Sequence, residues 1–126
     1  VLRLILAFAL GVAGAGGMNA PLEPVLTGLA TWYGAPYIGR VMRNGDVYTG
    51  TQMTVAVDDA MWPSLAGKWL LVVDAGTGRR VKVRVTDTGY LAGWNVCVDL
   101  SPTAMDVLTD GTRDTTRVEC YVIEEE

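Results

Sequence analysis

Two aspartates stand at the ends of apolar runs, and their setting points to carboxylate chemistry. Val81-Lys82-Val83-Arg84-Val85 alternates with the period of a half-buried strand and runs into Thr86-Asp87-Thr88-Gly89-Tyr90. Trp94-Asn95-Val96-Cys97-Val98 alternates in the same way and delivers Asp99. A carboxyl group at the rim of a sheet is held rigidly and still meets a ligand, as a general acid or base must. Taken singly, each has a plainer role: Asp87 opens a turn, and Asp99 helps to cap the helix that follows. The chain has no histidine. That excludes Ser-His and Cys-His nucleophiles and the usual zinc sites, leaving carboxylates as the acid–base groups that work near neutral pH. No metal and no cofactor are expected.

The elements that must position these acids are short. Gly28 to Gly34 reads as a first strand ending in the aromatic pair Trp32-Tyr33. Tyr37 to Gly50 is a loop with Asn44-Gly45 as a tight-turn signal, and Thr54-Val55-Ala56-Val57 is a strand ending in Asp58-Asp59. Met61 to Gly67 carries Pro63 and Gly67 and reads as a connection. Lys68 to Asp74 is an apolar strand, turned by Ala75-Gly76-Thr77-Gly78 into the strand that leads to Asp87. Ser101 is an N-cap and Pro102 suits the first helical turn, so a helix is predicted over about 101–108, with Ala104, Met105, Val107 and Leu108 as its apolar face. Asp110-Gly111 ends it, and Thr116 to Ile123 is a closing strand. Five or six short strands with one short helix predict a small, mainly β barrel.

At 126 residues and 50% apolar content the chain has room for one domain. Residues 1–17 read as a secretory signal peptide: Arg3 precedes the apolar run Leu4 to Leu10, and Ala13-Gly14-Ala15 offers small residues for cleavage. That run is about a dozen residues, against the roughly 20 that cross a bilayer, so no transmembrane segment is expected in the mature chain. Residues 18–27 read as a linker and 124–126 as an acidic tail. A net charge of −4 without a dense basic cluster argues against nucleic acid. Cys97 and Cys120 fall in two predicted strands. In an exported chain they pair, closing a loop worth about 3 kcal/mol in the chain-entropy model; two buried free thiols are the alternative.

Five segments in order resemble the landmarks of the rare lipoprotein A family. They are Gly28-Leu29-Ala30-Thr31-Trp32-Tyr33-Gly34, Asn44-Gly45-Asp46-Val47-Tyr48, Met53-Thr54-Val55-Ala56, Val83 to Gly89, and Val98-Asp99-Leu100-Ser101. The resemblance implies a six-stranded double-psi β-barrel over 28–123, a fold shared with expansins and with the catalytic domain of membrane-bound lytic transglycosylase A. Val55-Ala56-Val57-Asp58, Asp87-Thr88-Gly89 and Val98-Asp99 also resemble the three aspartates of the 3D domain.

That likeness implies a lytic transglycosylase of peptidoglycan, secreted or held in the periplasm or cell envelope. A carboxylic acid protonates the glycosidic oxygen after N-acetylmuramic acid, and the muramyl 6-hydroxyl closes on the anomeric carbon. Asp87 and Asp99 are the catalytic candidates, with Asp87 favoured as donor, and Asp46 and Asp58 are supporting acids. Two positions depart from the pattern. Asp46 stands where the family has Glu, and Val57 stands where it has His.

The aromatic residues offer faces on which a sugar ring can stack. Tyr33, Tyr48, Tyr90 and Trp94 are the candidates for substrate binding, whereas Trp69, inside an apolar strand, is expected to pack in the core. The partner this implies is the peptidoglycan glycan strand, bound by a monomer. Two other classes compete. One is a non-catalytic, expansin-like module that binds or loosens the wall. The other is a protein-binding barrel such as an inhibitor, or an aspartic protease, which Tyr90 after Asp87-Thr88-Gly89 disfavours.

Overall fold

The alternation of the strands decides what lies inside. The computed structural model describes residues 2–3 and 23–125; the expected signal peptide, apart from strand β1 (Leu2–Arg3), and residues 18–22 of the expected linker lie outside them. In β5 (Arg80–Gly89), Val81, Val83 and Val85 are buried, while Arg80 and Arg84 face solvent. β3 (Thr54–Asp58) contributes Val55 and Val57 to the same core, and β6 (Val96–Leu100) contributes Val98 and Leu100. β2 (Leu26–Trp32), β4 (Trp69–Asp74) and β7 (Thr116–Glu125) complete the set. β2 starts two residues before the expected barrel boundary, and β7 runs two residues beyond Ile123.

Hydrogen bonding runs β7-β2-β6-β3-β5-β4, and β4 pairs back to β7, so the sheet closes. Closure removes the free edges that an open sheet would present. The pairs β2–β6 and β3–β5 are parallel, and the other barrel pairs are antiparallel. This is the six-stranded double-psi β-barrel that the sequence implied. β1 adds antiparallel to the end of β7.

Helix α2 (Pro102–Thr109) covers the barrel, and α1 (Trp62–Leu65) is a single turn inside the expected connection. The Ser101 hydroxyl accepts from the Ala104 amide at 3.1 Å and donates to the Gln52 carbonyl at 2.6 Å, so one side chain caps the helix and ties it to the loop that leads into β3. Ala104, Met105 and Leu108 are buried, whereas Val107 is exposed. The apolar face is therefore narrower than the sequence implied, as i, i+3, i+4 spacing from 104 and 105 dictates. Asp110 ends the helix in the left-handed region, with φ 57°.

Trp69 is not in the barrel core. β4 is apolar on both faces: Leu70 and Val72 point inward, while Trp69 packs outside with Leu71 and Ile123. The ammonium of Lys82 lies 4.3 Å from the centre of its ring.

Candidate functional site

A bulge brings the first aspartate to the surface. Strict alternation from Val83 and Val85 would send Asp87 into the core. The register of β3 against β5 instead steps from Val55↔Val85 to Ala56↔Asp87, so Thr86 is an extra residue. That bulge turns Asp87 to the opposite face. The other parallel pair has the same device, stepping from Leu29↔Val96 to Ala30↔Val98 over Cys97, just before Asp99. Asp87 is therefore inside a strand that continues to Gly89, not in a turn.

One row then crosses four strands: Asp87, Ala56, Asp99, Thr31. Two interstrand spacings separate the aspartates, about 10 Å between their Cα atoms. Ala56 between them is small enough to leave a floor. Both aspartates line a cavity of about 240 Å³ with Tyr33, Tyr37, Tyr90 and Trp94.

The two carboxyl groups have different surroundings. Asp87 accepts from the Tyr33 hydroxyl at 3.1 Å and from the amides of Arg43 at 3.0 Å and Thr88 at 2.9 Å. Asp99 accepts from the Thr31 hydroxyl at 2.7 Å, on the side away from Asp87. Burial pushes the Asp99 carboxyl above the usual carboxylate range, and the charge of Asp87 pushes the same way against the Thr31 hydrogen bond. Burial also raises Tyr33, assisted by Asp87, so its hydroxyl stays protonated and donates.

The remaining predicted residues divide. Tyr90 and Trp94 are 72% and 78% exposed at the groove. Trp94 belongs to the 3-10 turn Ala92–Trp94, not to a strand. Tyr48 is 1% exposed and cannot meet a ligand; its ring stacks 4.2 Å behind Tyr33 and its hydroxyl donates to the Tyr33 carbonyl at 2.6 Å. It supports Tyr33 instead. Asp46 is exposed in the Asn44-Gly45 turn, bonded to the Asn44 side chain, and does not line the groove. Asp58 caps the 3-10 turn Asp59–Met61 and holds the Ala92 amide at 2.7 Å. Val57 is fully buried, so the position expected to carry a histidine faces the core.

Thr31 and Ala56 were missed as site residues. Alternation in Ala30-Thr31 was the available signal, since it sets Thr31 opposite the core-facing Ala30.

Cys97 and Cys120 are free thiols on strands that flank β2, not on neighbouring strands. They interact across β2 at Gly28, where a Cβ would stand 3.3 Å from that of Cys97. The Cys120 thiol beside it holds Cys97 below the usual thiol range, and the same contact with burial pushes Cys120 up.

Among the described residues no helix is long and apolar enough to cross a membrane. No sequence-family profile and no curated protein match the chain. Solved structures do. An expansin of Clavibacter michiganensis is 22% identical with a TM-score of 0.62, matching 80% of this chain and 51% of its own. A variant of that expansin in complex with cellohexaose gives 21% and 0.61, over 80% of this chain and 51% of its own. The chain thus spans about half the length of these expansins. The Streptomyces papain inhibitor is 23% identical with a TM-score of 0.62, over 78% of this chain and 93% of its own. At these identities the likeness is one of fold: a six-stranded double-psi β-barrel.

Proposed function

We propose that the groove binds a β-1,4-linked glycan strand of the cell wall, that this strand is peptidoglycan, and that Asp99 is the proton donor for its cleavage. The observation that supports this most is the aspartate row. Two carboxyl groups share one groove, flanked by exposed aromatic rings, and burial holds Asp99 toward its protonated form. This reverses the preference for Asp87 drawn from the sequence. Asp87, with three donors on its oxygens, is held in a fixed orientation beside Asp99.

In the proposed reaction Asp99 gives its proton to the glycosidic oxygen as the C1–O4 bond breaks. The muramyl 6-hydroxyl oxygen bonds to C1 and its proton returns to Asp99. No water is consumed, and a 1,6-anhydro end results. Retaining hydrolases hold nucleophile and acid about 5 Å apart. Here each carboxyl is bonded toward its own flank, and no covalent sugar intermediate is required. The expansin–cellohexaose complex supports a glycan occupant for this fold. The protein works outside the cytoplasm, as a monomer.

A second reading, binding without cleavage, is favoured by the absence of histidine from the chain, which leaves the groove with carboxyl groups as its acid–base side chains. Incubation with purified sacculi separates the two. Anhydro-muropeptides detected by mass spectrometry support cleavage. Sedimentation with sacculi but no release leaves the binding module, and the absence of both sedimentation and release removes both readings.

A further inference from the structure

We infer that Asp58 is a positioning residue that, together with Gly93, fixes residues 90–95 as a preset aromatic platform; this rests on the glycan-groove reading. These six residues join β5 to β6 and carry an exposed ring near each end, Tyr90 and Trp94. Rings left in water are held in place only if the backbone beneath them is fixed.

Part of that fixing is internal. Leu91 is buried, and its carbonyl accepts from the amides of Trp94 at 2.9 Å and Val96 at 3.1 Å. The tie to another element is the bond from the Ala92 amide to Asp58 Oδ1 at 2.7 Å, while Asp58 Oδ2 holds the Ala60 amide at 3.0 Å. One carboxylate therefore fastens the platform to the end of β3, two residues beyond the groove floor at Ala56. Those two amides, Ala92 first, hold the Asp58 carboxyl below the usual range. In this role it acts as a hydrogen-bond acceptor for two backbone amides.

Gly93 does the complementary work. A Cβ there would fall 2.1 Å from Cε2 of the Tyr90 ring, so the ring lies on a backbone without a side chain. A preset platform spares the ligand the entropy of ordering two aromatic side chains, and releasing it weakens binding roughly tenfold.

The test uses the full chain with Asp58→Ala, Asp58→Asn and Gly93→Ala. Amide exchange at Ala92 is followed by NMR. Affinity for soluble, peptide-free peptidoglycan strands is measured in an Asp99→Asn background, so that the probe is not consumed. The expected result is that Asp58→Ala loses Ala92 protection and binds roughly tenfold more weakly, and that Asp58→Asn, which keeps an acceptor oxygen, recovers most of both. Gly93→Ala should keep Ala92 protected and still bind less well. Unchanged Ala92 exchange in Asp58→Ala overturns the inference, as does unchanged affinity in both Asp58→Ala and Gly93→Ala. If the parent protein ignores the strands, the glycan reading falls and takes the platform's ligand with it, while Ala92 exchange still decides the tie.

Discussion

Replacing Asp99 by asparagine separates catalysis from stability with opposite signs. The side chain is half-buried, and burial disfavours its ionised form. A carboxyl whose folded pKa is raised lowers stability once pH exceeds that pKa, because the ionised form is less at ease in the fold than in the unfolded chain. An amide of the same shape carries no such cost and keeps an oxygen for the Thr31 hydroxyl. Asp99→Asn should therefore melt at or above the wild-type temperature near neutral pH. It cannot donate a proton to the leaving oxygen, and general acid catalysis is worth about 10²–10⁴ in rate, or about 3–5.5 kcal/mol of barrier. Anhydro-muropeptide release should fall by that factor while sedimentation with sacculi persists. Asp87→Asn supplies the second half of the test. The Asp87 charge helps to raise the Asp99 pKa, so removing it should move the alkaline limb of kcat/KM to lower pH. Release retained by Asp99→Asn, or an alkaline limb unmoved by Asp87→Asn, would refute the assignment of Asp99 as the acid.

Trp94→Ala should weaken binding to sacculi roughly tenfold without changing the melting temperature, because its ring is mostly in solvent; equal binding in a pull-down would count against the groove. Asp74 is buried, which alone would raise its pKa. Its bonds to Thr116, the Gly76 and Thr77 amides and Arg113 outweigh burial and hold it at about 2. The stability this gives, on the order of 2 kcal/mol, is complete above the usual carboxylate pKa and is lost as pH falls toward 2. Urea titrations between pH 5 and 2 should show that loss in the wild type and a flatter profile in Asp74→Asn. Oxidised glutathione should join Cys97 to Cys120 and stabilise the fold by about 3 kcal/mol; two titratable thiols remaining after refolding in that oxidant would reject the bridge.

What could be read from the sequence and what could not divide along physical lines. The period-two pattern of Val81, Val83 and Val85 and the Ser101-Pro102 cap are local signals, and both appear where expected. β4 is apolar on both faces, so alternation carried no information and Trp69 was placed inside when it lies outside. Tyr48 looked like a loop aromatic, and only the return of its loop onto Tyr33 buries it. The pattern of Trp94-Asn95-Val96 continued a strand that Asn95, at φ 63°, interrupts; Gly93 before it was the signal passed over.

The bulges were the least legible feature, and the site depends on them. Each parallel pair joins a core strand to one carrying an extra residue just before or two before an aspartate: Thr86 before Asp87, Cys97 ahead of Asp99. The two halves thus present equivalent carboxyl groups on one rim, and the difference between them comes from what stands beside each. Asp99 pairs with Thr31, a single donor beside a buried position, whereas Asp87 gathers three donors from Tyr33, Arg43 and its own strand. A near-symmetric scaffold with unequal neighbours is a direct way to give two carboxyl groups different roles, one a half-buried acid and the other a firmly oriented acceptor beside it. The asymmetry can be exchanged. Tyr33→Phe removes one donor from Asp87 and should loosen the orientation of that carboxyl without removing the Thr31 bond to Asp99, lowering kcat while leaving the affinity for sacculi in place. An unchanged kcat in that variant would mean that the inequality of the two aspartates has no part in the chemistry.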